Sequence, residues 1–207
     1  MNKFLALAAT VVLGGALLIA GCGGDTNKAA NSGDKQVLKI GATAVPHAEI
    51  LEQVKPILAK DNIDLQITEF TDYNTPNLAL GDKEIDANFF QHVPYMDEFA
   101  KAHNLPLVSA GGVHLEPMGL YSRQVKDLKD LPKGAKIAIP NDPTNGGRAL
   151  LLLQKAGLIT LKDSNNILST VQDIASNPNG YQFVELEAAQ VPRSIDDVAL
   201  AAINTNF

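Results

Sequence analysis

Short apolar runs of strand length alternate along this chain with longer runs of helical period, and no other feature limits its fold as much. Val37–Ala42 reads as a strand, and Pro46 opens a helix with Ala48, Ile50, Leu51, Val54, Ile57 and Leu58 on one face. Leu65–Thr68 is a second strand. Asp72–Pro76 forms a turn that starts a short helix, which Gly81 ends. Asp86–Tyr95 is the end of a third strand running into a helix from Pro94 to His103, with Asn104 able to close it. Leu107–Ala110 is expected as a fourth strand, and Val113–Tyr121 as an extended crossing broken by Pro117 and Gly119. Beyond it lie a short helix at Asp127–Leu131, a strand at Lys136–Pro140, a helix running through Ala149–Lys155 and a strand at Gln182–Leu186. A loop or short helix at 188–195 and a small-residue strand at Val198–Ile203 complete the pattern. Such alternation implies an α/β fold with a largely parallel sheet. In sheets of that kind ligands bind beyond the carboxyl ends of the strands, where Tyr73, Phe90 and His92 fall.

The chain has 207 residues, enough for one or two domains with a real core, and its net charge of −6 argues against a nucleic-acid partner. No Lys/Arg run offers a phosphate track. Residues 1–21 have a short basic start at Asn2-Lys3, an apolar run from Phe4 to Ala20, and small residues before Cys22, which are the marks of a secretory signal. Cys22 is the single cysteine, so the chain forms no internal disulfide and no cysteine metal cluster. Placed directly after Ala20-Gly21, it resembles the lipobox of bacterial lipoproteins, whose cysteine is lipidated; a plain signal or a spanning helix is the alternative. Residues 22–35, with no large apolar side chain, read as a flexible tether reaching roughly 20 Å.

Two stretches carry candidate chemistry. In Asp86–Tyr95 a strand period of two sends Asn88, Phe90 and His92 to one side and Phe89 and Gln91 to the other, with Tyr95 close to the first set. Flat apolar faces with a few polar tips make a wall for a small ligand; a buried strand with one satisfied histidine is the plainer reading. The second stretch is Asn141–Arg148. Here Thr144 or Asn145 can cap a helix whose first turn holds Gly146, Gly147 and Arg148. Glycines at a helix start let an anion approach the backbone, and the Arg148 fork suits a carboxylate; an arginine paired with a surface acid is the alternative. A phosphate loop is excluded, because no Gly-Lys-Ser/Thr ending follows. Asn204, at the end of a buried strand, is a further candidate ligand contact. His47, His92, His103 and His114 show no metal-ligand spacing, and no nucleophile–base–acid set is visible.

Taken together, these segments resemble the NlpA/MetQ family of lipoproteins, the substrate-binding proteins of methionine-type ABC importers. The resemblance rests on 86–95, on Ile139–Asn145 leading to Arg148, on Leu186–Arg193 and on Ile203-Asn204-Thr205, and covers residues 37–206 plus the lipobox. It implies two α/β lobes of the periplasmic-binding-protein-like (type II) fold around a ligand cleft, the first at 36–113 and the second at 114–207. It implies that Tyr73, Phe90, His92 and Tyr95 enclose a thioether side chain, that Arg148 holds the carboxylate, and that Asn145 and Asn204 complete the polar shell. Family chains run several dozen residues further, so the resemblance implies that the return segment of the first lobe is missing, with an exposed apolar face there and weakened binding. The expected function is capture of L-methionine or a similar amino acid, without catalysis or cofactor. The protein would be anchored in the cell membrane through lipidated Cys22 on the extracytoplasmic side and would deliver its ligand to an ABC transporter permease subunit. An enzyme using His92 as base with Asp86 or Asp142, and a surface adhesin or sensor, are the alternatives.

Overall fold

A computed structural model describes residues 35–207. The expected signal, Cys22 and nearly all of the tether lie outside the described residues. No helix among the described residues is long and apolar enough to cross a membrane.

The first lobe contains strand β1 (Gln36–Thr43), helix α1 (Glu49–Leu58), β2 (Ile63–Phe70), α2 (Thr75–Gly81), β3 (Ala87–Phe89) and α3 (Val93–His103). Its sheet has the order β2-β1-β3 and is parallel throughout, with Ile40 opposite both Ile67 and Ala87. Ala42, Ala48, Leu51 and Leu65 bury the contact between α1 and the sheet. Helix α1 begins at Glu49, three residues after Pro46, because Val45 stays extended (φ −120°, ψ 134°), as the residue before a proline prefers, and Ala44–Ala48 forms a wide turn. Helix α3 starts directly after an extended His92 and ends on Asn104 in the left-handed region (φ 54°), where asparagine is tolerated.

The second lobe contains β4 (Met118–Tyr121), β5 (Lys136–Pro140), α4 (Pro143–Lys155), β6 (Thr160–Leu161), β7 (Ile174–Ser176), β8 (Gln182–Leu186) and β9 (Leu200–Asn204). Its main sheet has the order β4-β9-β5-β8, parallel except for β4, which runs antiparallel to β9; β6 and β7 pair separately. The two central strands are covered on both faces, so they carry no polar alternation. Ile137, Ile139, Leu200 and Ala202 enter the core beneath α4, while Ala138, Ala201 and Ile203 pack on Val191 and Val198.

Three expectations fail. Leu107–Ala110 is not a strand: residues 105–117 run without regular structure, and Val108, Val113 and Leu115 are 86%, 67% and 92% exposed. A short apolar run becomes a strand only by pairing with a sheet, and this one pairs with no strand. Gly119 does not break the crossing but sits inside β4 opposite Ile203, close under the ring of Tyr121. Strand β3 is only three residues long, so the expected alternation from 86 to 92 stops at Phe89.

Candidate functional site

Tyr73, in the turn after β2, Phe90, just past β3, and Tyr95 and Phe99, in α3, form one buried aromatic cluster. Their ring centroids are 5.8 Å apart for Tyr73–Phe90 and Tyr73–Tyr95, 6.1 Å for Phe90–Tyr95 and 5.8 Å for Tyr95–Phe99, within the range where aromatic pairs attract. The imidazole of His92 stacks on Tyr95 at 6.4 Å. Burial, with Arg148 across the cleft adding to it and Asp142 opposing, pushes the His92 pKa down to about 4. The ring is therefore neutral at pH 7, and it presents a polar but uncharged tip. Burial likewise pushes the Tyr73 and Tyr95 phenols up, so both stay protonated.

The early end of β3 rearranges what lies beneath this wall. Asn88 and Gln91, expected on opposite sides, meet on the fully buried Asn77. Asn88 Nδ2 and Gln91 Nε2 both donate to Asn77 Oδ1 at 2.8 Å, and Asn77 Nδ2 donates to Gln91 Oε1 at 2.8 Å. This amide knot ties α2 to the end of β3. Phe89 leaves on the other face and packs against α1.

The second lobe supplies the polar side. Its helix start is capped not by Thr144 or Asn145 but by Asp142, whose Oδ1 accepts from the backbone N–H of Asn145 at 2.8 Å and from Thr144 Oγ1 at 3.1 Å. A carboxylate of the chain itself thus takes the place an incoming anion would seek at the helix N-terminus. The two glycines also serve packing rather than anion approach. A Cβ on Gly147 would lie 1.7 Å from the carbonyl oxygen of Ile167, and one on Gly146 2.9 Å from that of Pro140. What remains for an anion is Arg148.

Asn145 organises that group. Its Oδ1 accepts from Arg148 Nη1 at 2.9 Å and from Asn204 Nδ2 at 3.0 Å, while its Nδ2 donates to the Asp142 carboxylate at 3.0 and 3.1 Å. Arg148 Nη2 donates to the Glu116 carbonyl at 3.0 Å. Arg148 is half-buried, and among the described residues it has no carboxylate within ion-pair distance. Its field reaches both Tyr73 and His92 on the opposite lobe. On the other flank of α4 it borders a shallow depression of about 270 Å³ with Met118, Leu151, Leu152 and Lys155. Among the described residues two buried side-chain atoms lack a hydrogen-bond partner, His92 Nε2 and Asn204 Oδ1. Both belong to residues singled out from the sequence, one on each side of the cleft. Buried polar atoms without partners are costly.

The seven candidate residues thus come together, with Tyr73, Phe90, His92 and Tyr95 on one face and Asn145, Arg148 and Asn204 on the other. The lobes touch: Ala188 joins the aromatic cluster, and Tyr73 OH donates to Asn206 Oδ1 at 2.5 Å. Tyr73, Asn74 and Tyr95 on one side and Asn141, Asp142 and Glu187–Ala189 on the other line a small cavity of about 30 Å³. Sequence reasoning missed Asp142 as the cap and Asn206 as the bridge. The Asp-Pro pair at 142–143 was the signal for the first, since proline favours the first helical turn. It also missed that His47 and His114, far apart in sequence, lie side by side at 5.2 Å.

A family model for NlpA lipoproteins matches residues 38–207. The chain is 44% identical over 209 residues to the D-methionine-binding lipoprotein MetQ of Escherichia coli K12, an alignment covering 99% of this chain and 74% of that protein. Among solved structures it resembles a nutrient binding protein from Burkholderia cenocepacia bound to methionine, with 46% identity, a TM-score of 0.78 and coverage of 82% of this chain and 72% of the other. It also resembles a periplasmic substrate-binding protein of an ABC transporter from Coxiella burnetii, with 48% identity, a TM-score of 0.78, and coverage of 82% and 72%. These likenesses agree with two α/β lobes of the periplasmic-binding-protein-like type.

Proposed function

The chain belongs to the NlpA lipoprotein family, and we propose that it captures methionine or a closely related amino acid and hands it, chemically unchanged, to an ABC importer. The observation that carries this reading is the pairing of a buried aromatic wall with a half-buried arginine that has no carboxylate partner among the described residues. A free amino acid supplies the complement to both. Its carboxylate takes the free N–H groups of Arg148, its ammonium donates to Asn204 Oδ1, and its side chain lies against Tyr73, Phe90, His92 and Tyr95. A thioether suits such rings, since each sulfur–ring contact contributes about 0.3–1.5 kcal/mol. Asn145 positions Arg148 and Asn204, because its own hydrogen bonds are already committed. A D-methionine-binding lipoprotein and a nutrient binding protein bound to methionine among the relatives support the ligand class.

The lobes touch through Ala188 and the Tyr73–Asn206 hydrogen bond, so they separate for entry and close again by hinge motion. The ligand favours the closed form because it touches both lobes. Lipidation at Cys22 would hold the protein on the extracytoplasmic face of the membrane, within reach of the permease.

Isothermal titration of the purified chain with L- and D-methionine tests this. The expected result is saturable binding of one equivalent, with the amino acid recovered intact. Conversion of the ligand would establish an enzyme instead, and no heat with either isomer would refute methionine capture.

A further inference from the structure

We propose that His47, His114 and Glu116 form a binding site for a divalent transition metal ion of the Zn2+ class, beside the amino-acid cleft and sharing none of its proposed ligand-contacting side chains. Each residue offers one donor atom, and the three donor atoms lie within 4.8 Å of one another. Glu116 Oε1 is 3.3 Å from His47 Nε2 and 2.6 Å from His114 Nε2. Ligands about 2.0–2.1 Å from a tetrahedral Zn2+ stand about 3.3 Å apart. The His47–Glu116 edge already has that length, and a small turn of the half-exposed His114 ring brings the third donor into place. Two imidazoles and one carboxylate leave a fourth position for water, a donor set that suits Zn2+ and excludes the all-oxygen shells of Mg2+ and Ca2+.

The surroundings are those of a metal site. His47 is 3% exposed, so its ring cannot swing into solvent. Its Nδ1 lies 2.7 Å from Thr43 Oγ1, which leaves Nε2 aimed at the cluster. Thr43 in turn accepts from Asn206 Nδ2 at 3.2 Å. Its second lone pair can receive an Nδ1–H, the tautomer that a ligating Nε2 requires. Both imidazoles stand perpendicular to the Phe89 ring, at 4.6 Å and 89° for His47 and 5.5 Å and 87° for His114, so one flank of the cluster is apolar. His114, whose side chain is 28% exposed, provides the path for an ion to enter. The donors come from separate parts of the chain, His47 from the turn after β1 and the other two from the crossing that leads to β4. A bound ion would fasten that crossing to the first lobe.

The test is competition between the untagged full chain in detergent and a chromophoric chelator for Zn2+, together with the visible spectrum of the Co2+-substituted protein. The expected result is one equivalent bound, with the intense absorption of four-coordinate Co2+. Loss of an outer-shell partner alone costs a site about 10–100-fold in affinity, so His114→Ala and Glu116→Gln should each weaken binding at least about tenfold. His114→Ala removes a partly exposed ring and Glu116→Gln keeps the shape of the side chain, so circular dichroism of both variants should match the unaltered protein. Absence of a stoichiometric Zn2+ site, or variants that bind as tightly as the unaltered chain, would overturn the proposal.

Discussion

Replacing Arg148 by alanine is expected to weaken binding of any free amino acid by about 2–5 kcal/mol, the cost of truncating one partner of a buried, hydrogen-bonded charge pair. In affinity that is about 30-fold to 5,000-fold. The loss is large because no other group on this face can take over. The helix N-terminus beside Arg148 is already occupied by the Asp142 carboxylate, and Asn145 has both acceptor positions of its Oδ1 filled. Arg148→Lys should fall between the two, since a lysine keeps the charge but loses the planar fork. Titration calorimetry measures both. Unchanged affinity in Arg148→Ala would show that the carboxylate is held elsewhere.

Phe90→Ala should act on stability and selectivity together. The ring is 7% exposed and touches Tyr73 and Tyr95 at the centre of the wall, and removing a buried phenylalanine costs about 3–5 kcal/mol. The melting temperature of the ligand-free protein should fall accordingly. Affinity for methionine should fall further than affinity for serine, because only the longer side chain reaches the lost surface. Phe90→Leu separates the two effects by keeping most of the buried volume without the aromatic face. An equal loss for both ligands would count against a side-chain pocket at this wall.

Much of this arrangement was legible in the sequence, and for identifiable reasons. Helix α4 has strong punctuation at its start, and β5 and β9 are apolar runs long enough to be unmistakable. The aromatic wall was visible because three of its rings, Phe90, His92 and Tyr95, fall within six residues. What could not be read depends on distant partners. Leu107–Ala110 has the composition of a strand but pairs with no other strand. The side to which Gln91 points follows from where β3 ends, which Asn77 decides fourteen positions away. Gly147 looked like an anion cradle because a helix-start glycine carries no mark of the backbone, here that of Ile167, against which it packs. The histidine cluster escaped for the same reason. Sixty-seven positions separate His47 from His114, and only the fold closes that distance.

One small ligand should bridge two unlike surfaces of this protein, and a crystal structure of the methionine complex would show whether it does. The ligand carboxylate is expected within hydrogen-bond distance of the Arg148 guanidinium, and the sulfur against the rings of Phe90 and Tyr95. A methionine bound with its carboxylate on the aromatic side, and Arg148 still engaged only by Asn145 and the Glu116 carbonyl, would contradict it.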